Sequence, residues 1–95
     1  MTTRMNILTE KYIKFYNDIN LINNSYSHLF PSLEDIDMVD LLFFFNYTFT
    51  RGTDYNEPIK SLMKSNDIII DEDEYKKAFP IIKEFIEYLF YFQKL

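Results

Sequence analysis

The chain has no cysteine and no tryptophan, and only one histidine, one glycine and three prolines in 95 residues. Without cysteine there is no disulfide framework, thiol nucleophile or zinc-thiolate site. A single glycine rules out a glycine-rich phosphate loop, which needs several positions where backbone approaches phosphate without a Cβ in the way. His28 has no neighbour at ligand spacing, so it reads as a structural or solvent-facing residue rather than a general base or metal ligand. No catalytic residue, metal or cofactor is expected. The amino-terminal stretch lacks an apolar h-region, so no signal peptide is expected and a cytoplasmic location is the default. The densest apolar runs, 41–45 and 85–92, fall far short of the ~20 residues of a membrane-spanning helix, and Glu87 interrupts the second.

Apolar material is nonetheless abundant. Hydrophobic residues make up 47% of the chain and aromatics 19%, with 10 Phe and 8 Tyr, far too apolar for a disordered tail. The length suits one domain, 1–95. Fifteen acids against ten bases leave a formal charge of -5, which disfavours a nucleic-acid backbone as ligand and favours a basic protein.

Apolar positions recur at helical spacing through most of the chain. Met5, Leu8, Tyr12, Phe15, Ile19 and Ile22 predict a helix over 3–22 with one buried stripe. A loop over 23–31 starts polar and ends apolar, so it is expected to pack onto the core. Ser32 followed by Asp35 resembles a capping box and predicts a second helix over 33–49. In its first half Ile36, Val39 and Phe43 share one side. Its second half, 41–45, is apolar all round, as suits a central helix covered by several others. Gly52 is expected to end that helix in a left-handed conformation. A short third helix over 57–65 carries Pro58 in its first turn and faces Ile59, Leu62 and Met63 inward. Ile68, Ile69 and Ile70 suit either a short strand or an apolar connector. Asp71 then caps a last helix, in which Pro80 predicts a kink or a break into 71–79 and 80–93. The expected fold is an all-α antiparallel bundle of four to five helices.

The acids are segregated. Residues 32–57 hold six acids against Arg51, and residues 67–74 hold five against none. The blocks are Glu34, Asp35, Asp37 and Asp40, then Asp67, Asp71, Glu72, Asp73 and Glu74, each placed at a helix start. First-turn electrostatics accounts for one or two acids per block but not for four without a countercharge. A calcium loop is excluded, because counting from Asp71 its required Gly and Glu positions hold Lys76 and Ile82. Most Phe belong in the core. Tyrosine is enriched at interfaces because its hydroxyl wants a polar partner, so Tyr47, Tyr55 and Tyr75 are expected at a binding surface with Asp54 beside them.

The succession Asp40-Leu41-Leu42-Phe43-Phe44-Phe45, a loop with Asp54-Tyr55, then Ile70-Asp71-Glu72-Asp73-Glu74-Tyr75-Lys76-Lys77 and a closing amphipathic helix resembles the colicin D-type and contact-dependent-inhibition immunity proteins over 36–95. Pro80 and the 68–70 isoleucines depart from that pattern. The resemblance implies a helical bundle that binds and blocks a tRNA-cleaving toxin domain, its carboxylates standing in for substrate phosphates. The matching positions are Asp71, Glu72, Asp73 and Glu74, with Asp54 and Tyr55. The expected partner is therefore a basic nuclease toxin domain, with no direct nucleic-acid or membrane binding and a monomeric chain. Two rivals stand beside it: a phage- or plasmid-encoded inhibitor of a host nucleic-acid enzyme, and a small structural or regulatory subunit with the second helix as a dimer seam.

Overall fold

The structure, a computed structural model, describes residues 3–34 and 36–93, with side chains from residue 6 onwards. Five helices follow one another: α1 (Thr3–Ile22), α2 (Asn24–Ser27), α3 (Met38–Thr48), α4 (Asn56–Ser65) and α5 (Glu72–Gln93). Among the described residues there is no strand. The all-α bundle expected from the sequence is the architecture observed.

Two long helices make the frame. On α1, Leu8, Tyr12, Phe15 and Ile19 are buried at steps of three and four; on α5, Tyr75, Ala78, Ile82, Phe85, Ile86, Leu89 and Phe92 are. The helices run antiparallel, because Lys11 lies over the Tyr88 ring, Phe15 stacks on Phe85 and Asn23 reaches Glu74. Phe15 and Phe85 lie almost parallel, with ring centroids 4.3 Å apart. Phe45 of α3 meets Phe85 edge-on at 5.7 Å and stacks on Phe30 at 5.8 Å. Each such pair contributes about 0.5–1.5 kcal/mol beyond the area it buries. The Tyr12 hydroxyl donates to the carbonyl of Pro31, pinning the loop after α2 to α1, and burial pushes that phenol's pKa well up.

The loop over 23–31 does pack onto the core through Tyr26, Leu29 and Phe30, but it contains the short α2, which Asn23 caps by accepting from the Ser25 amide at 2.7 Å. The predicted start of the second helix is corrected. Ser32 Oγ accepts from the Glu34 amide at 3.3 Å and goes no further. The cap is Asp37, extended at φ -106 and ψ 130, whose carboxylate accepts from the Val39 amide at 2.8 Å. Asp caps as well as Ser does, and Asp37 stands immediately before the apolar run. Asp35, the other half of the expected capping box, lies outside the described residues. Nor is α3 covered on all sides. Leu41 and Phe45 are buried, whereas Val39, Phe43 and Tyr47 are 52%, 68% and 95% exposed.

Gly52 is left-handed, with φ 82, but it lies beyond the helix end, in a turn closed by the Thr53 amide donating to the Thr50 carbonyl at 3.3 Å. At 68–70 the chain is a connector: Ile68 and Ile70 are half-buried against the core and Ile69 is exposed. α5 runs unbroken through Pro80, so the expected division into two pieces does not occur. Pro80 and Lys76, one turn earlier, are both exposed, which leaves the carbonyl deprived of its amide partner on the solvent side. Buried Ala78 and Ile82 hold the helix on either side of it. Pro80→Ala restores that hydrogen bond and is expected to stabilise the chain by about 1–3 kcal/mol, read as a higher urea midpoint. An unchanged or lower midpoint would contradict this account of the helix.

Candidate partner-binding surface

The starts of α4 and α5 are held together by a short polar chain. The Tyr75 hydroxyl donates to Asn56 Oδ1 at 2.8 Å, and the Asn56 backbone and side-chain amides both donate to Asp54 Oδ1 at 3.0 Å. Across from them, Asn23 Nδ2 donates to Glu74. Asp71 caps α5, accepting from the Asp73 amide at 3.0 Å and the Glu74 amide at 3.3 Å. The chain thus brings Asp54 and Glu57 to the same place as Asp71, Glu72 and Glu74.

Two phenols register this crowding of negative charge. Burial, then the carboxylates of Asp54 and Glu72, with Tyr26 and Glu57 adding less, push Tyr75 up to about 12. Burial, followed by Glu74, Asp71 and Glu72, raises Tyr26 as well. The buried Tyr26 hydroxyl has no hydrogen-bond partner among the described residues.

The carboxylates differ in their duties. Asp54, Asp71 and Glu74 are engaged in hydrogen bonds that hold the fold. Glu72 and Asp73 are exposed, and their carboxylates make no hydrogen bond or ion pair among the described residues. The ion pairs there, Lys14 with Asp18 at 2.7 Å and Lys83 with Glu87 at 3.8 Å, belong to neither acidic block. Lys60 lies 5.1 Å over the Tyr75 ring at the edge of the patch, and Lys76 and Lys77 follow one turn along α5 without an ion pair to either carboxylate among the described residues.

Several expected site residues are placed differently. Tyr55 and Tyr75 are 7% and 5% exposed and belong to the core rather than to a binding surface. The Tyr55 ring packs between Phe49 and Phe90, and Tyr75 satisfies its hydroxyl internally through Asn56. Tyr47 is on the surface as expected. Asp67 does not start a helix. It ends α4 at φ 58, where its amide donates to the Lys64 carbonyl at 3.1 Å and the next amide, of Ile68, donates to Met63 at 2.9 Å. That is the helix-terminating pattern in which Asp tolerates the left-handed position usually taken by glycine.

Glu34, Asp37 and Asp40 of the first block are exposed around the start of α3, and no hydrogen bond among the described residues joins them to the start of α5. The sequence expectation of a helix covered all round fails at Val39 and Phe43, which with Tyr47 form an uncovered i, i+4, i+8 series opposite Leu41 and Phe45. His28 is exposed. Among the described residues no group of three or more His, Cys, Asp or Glu is placed to hold a metal ion, and no helix is long and apolar enough to cross a membrane.

The Tyr75 environment has a pH signature. Its folded pKa lies above the unfolded value of 10.0, so the fold favours the neutral phenol. That contribution is complete below pH 10 and is lost as pH rises towards 12. Tyr75→Phe should cost about 1 kcal/mol at pH 7 through loss of the bond to Asn56, and should make the fall in stability above pH 10 shallower. Chemical denaturation of both proteins between pH 7 and 11.5 measures this; parallel pH profiles would contradict it.

No family model, curated protein or solved structure matches this chain.

Proposed function

We propose that this chain is a non-enzymatic inhibitor, an immunity protein that binds and neutralises a basic nuclease toxin domain, tRNA-cleaving in kind, in the bacterial cytoplasm. The observation that carries the reading is the pair Glu72 and Asp73, exposed on the first turn of α5 with no internal partner and flanked by Asp54, Glu57, Asp71 and Glu74. Capping requires only Asp71, and the dipole of α5 is served by any one acid of that turn. The surplus is charge directed outward.

A nuclease that grips RNA must present Lys and Arg to the phosphates, so an array of carboxylates is complementary to the surface the enzyme uses for substrate. The helix that bears them is braced by Asn23 and by the Tyr75 to Asn56 bond, so docking orders the Glu72 and Asp73 side chains but not the backbone beneath them. Charge of this kind acts mainly on encounter, raising the association rate at low ionic strength.

The test is capture from the native host, followed by inhibition assays with the identified protein. The expected partner is rich in Lys and Arg, cleaves RNA and is silenced by one equivalent of the chain. Glu72→Gln with Asp73→Asn, which touches no internal bond, is expected to slow association about tenfold at low salt and to flatten its salt dependence while leaving the thermal midpoint in place. A captured protein without nuclease activity, or an unchanged association rate, would overturn the reading.

A further inference from the structure

The outer face of α3 is used by neither the core nor the acidic surface at the start of α5. Val39, Phe43 and Tyr47 stand one above another along it, 52%, 68% and 95% exposed, directly opposite the buried Leu41 and Phe45. A helix that is apolar on both faces is normally covered on both. Here the chain covers one.

We propose that a second copy of this chain covers the other, the two α3 helices lying antiparallel about Phe43. The apolar stripe is symmetric about that residue. In the antiparallel arrangement Phe43 meets its counterpart, and Val39 of each copy meets Tyr47 of the other. Charge selects the same orientation. The start of α3 carries Asp37 and Asp40 without a base, and the charged residue just past its end is Arg51, exposed, its guanidinium 5.2 Å over the Phe90 ring with one nitrogen on the Phe90 carbonyl at 3.0 Å. Antiparallel pairing sets the acidic start of each α3 beside the arginine-bearing end of the other, whereas parallel pairing would set acid on acid. The helix dipoles favour it for the same reason.

Area sets the strength. Aromatic side chains bury roughly 150–250 Å² each, so the stripe offers about 400 Å² per copy, with half-buried Leu42 and Phe44 at its margins. A stable interface takes about 800 Å² from each partner. The dimer is therefore a weak one, populated only towards high protein concentration.

Sedimentation of the full chain from about 1 µM to about 1 mM tests this, and the expected result is a weight-average mass rising from one chain towards two. Phe43→Ser with Tyr47→Ser, both exposed, should move the transition at least about tenfold higher in concentration with the thermal midpoint retained, while Glu72→Gln with Asp73→Asn leaves it in place. Because the chain has no cysteine, Phe43→Cys is expected to yield a disulfide-linked dimer under mild oxidation, and Ile69→Cys, on an exposed residue of the connector, is not. A monomer throughout, a transition indifferent to the α3 substitutions or shifted equally by the α5 ones, or equal cross-linking at 43 and 69 would overturn the proposal. Since the acidic surface is a separate one, these results leave the inhibitor reading to its own test.

Discussion

The contact on which the structure turns is the stack of Phe15 on Phe85, 4.3 Å between centroids. It fixes the register of α1 against α5, the two longest helices among the described residues. Everything else is placed relative to that pair: Phe45 leans edge-on against Phe85 and brings α3 with it, while Arg51 bonds the Phe90 carbonyl and ties down the turn after α3. Register at mid-helix also decides what happens at the end. With Phe15 opposite Phe85, the end of α1 reaches the start of α5, and Asn23 finds Glu74. The acidic first turn of α5 is thus braced by a contact whose geometry is set some eleven residues away.

Much of this was legible in the sequence because it follows from periodicity. α1 has the predicted bounds, α4 differs by one residue, and α5 keeps its predicted cap, since stripes of Tyr, Phe and Ile at steps of three and four admit one reading when they run for several turns. The errors arose where several local signals competed. Ser32 and Asp37 both suit a helix cap, and only the packing of Phe30 and Phe45 decides where the chain turns inward. Asp67 was grouped with the acids of α5 because it precedes them, although its backbone belongs to the end of α4. Pro80 announces a break by its chemistry, but the orphaned carbonyl faces water and buried Ala78 and Ile82 hold the helix across it.

Tyrosine placement was the least legible feature of the site. A phenol at an amphipathic position reads the same whether its hydroxyl meets water or Asn56, and Tyr55 and Tyr75 took the buried alternative while Tyr47 took the exposed one. What the sequence could convey was the segregation of charge. Folding sharpened it: of the two base-free blocks, one is partly consumed by capping and turn formation, leaving Glu72 and Asp73 as its outward charge, and the other flanks an uncovered aromatic stripe. The chain therefore presents two surfaces of different physics. Electrostatics at the start of α5 suits rapid encounter with a basic enzyme, and apolar area on α3 suits slow, area-dependent association.

We propose that the carboxylates gathered at the starts of α4 and α5 receive a basic partner. Amide chemical-shift mapping of the isotopically labelled chain, titrated with the partner captured from the host, is the direct test. The expected perturbations centre on residues 54–57 and 71–75. Shifts centred on the outer face of α3 or on α1, with those amides unmoved, would contradict it.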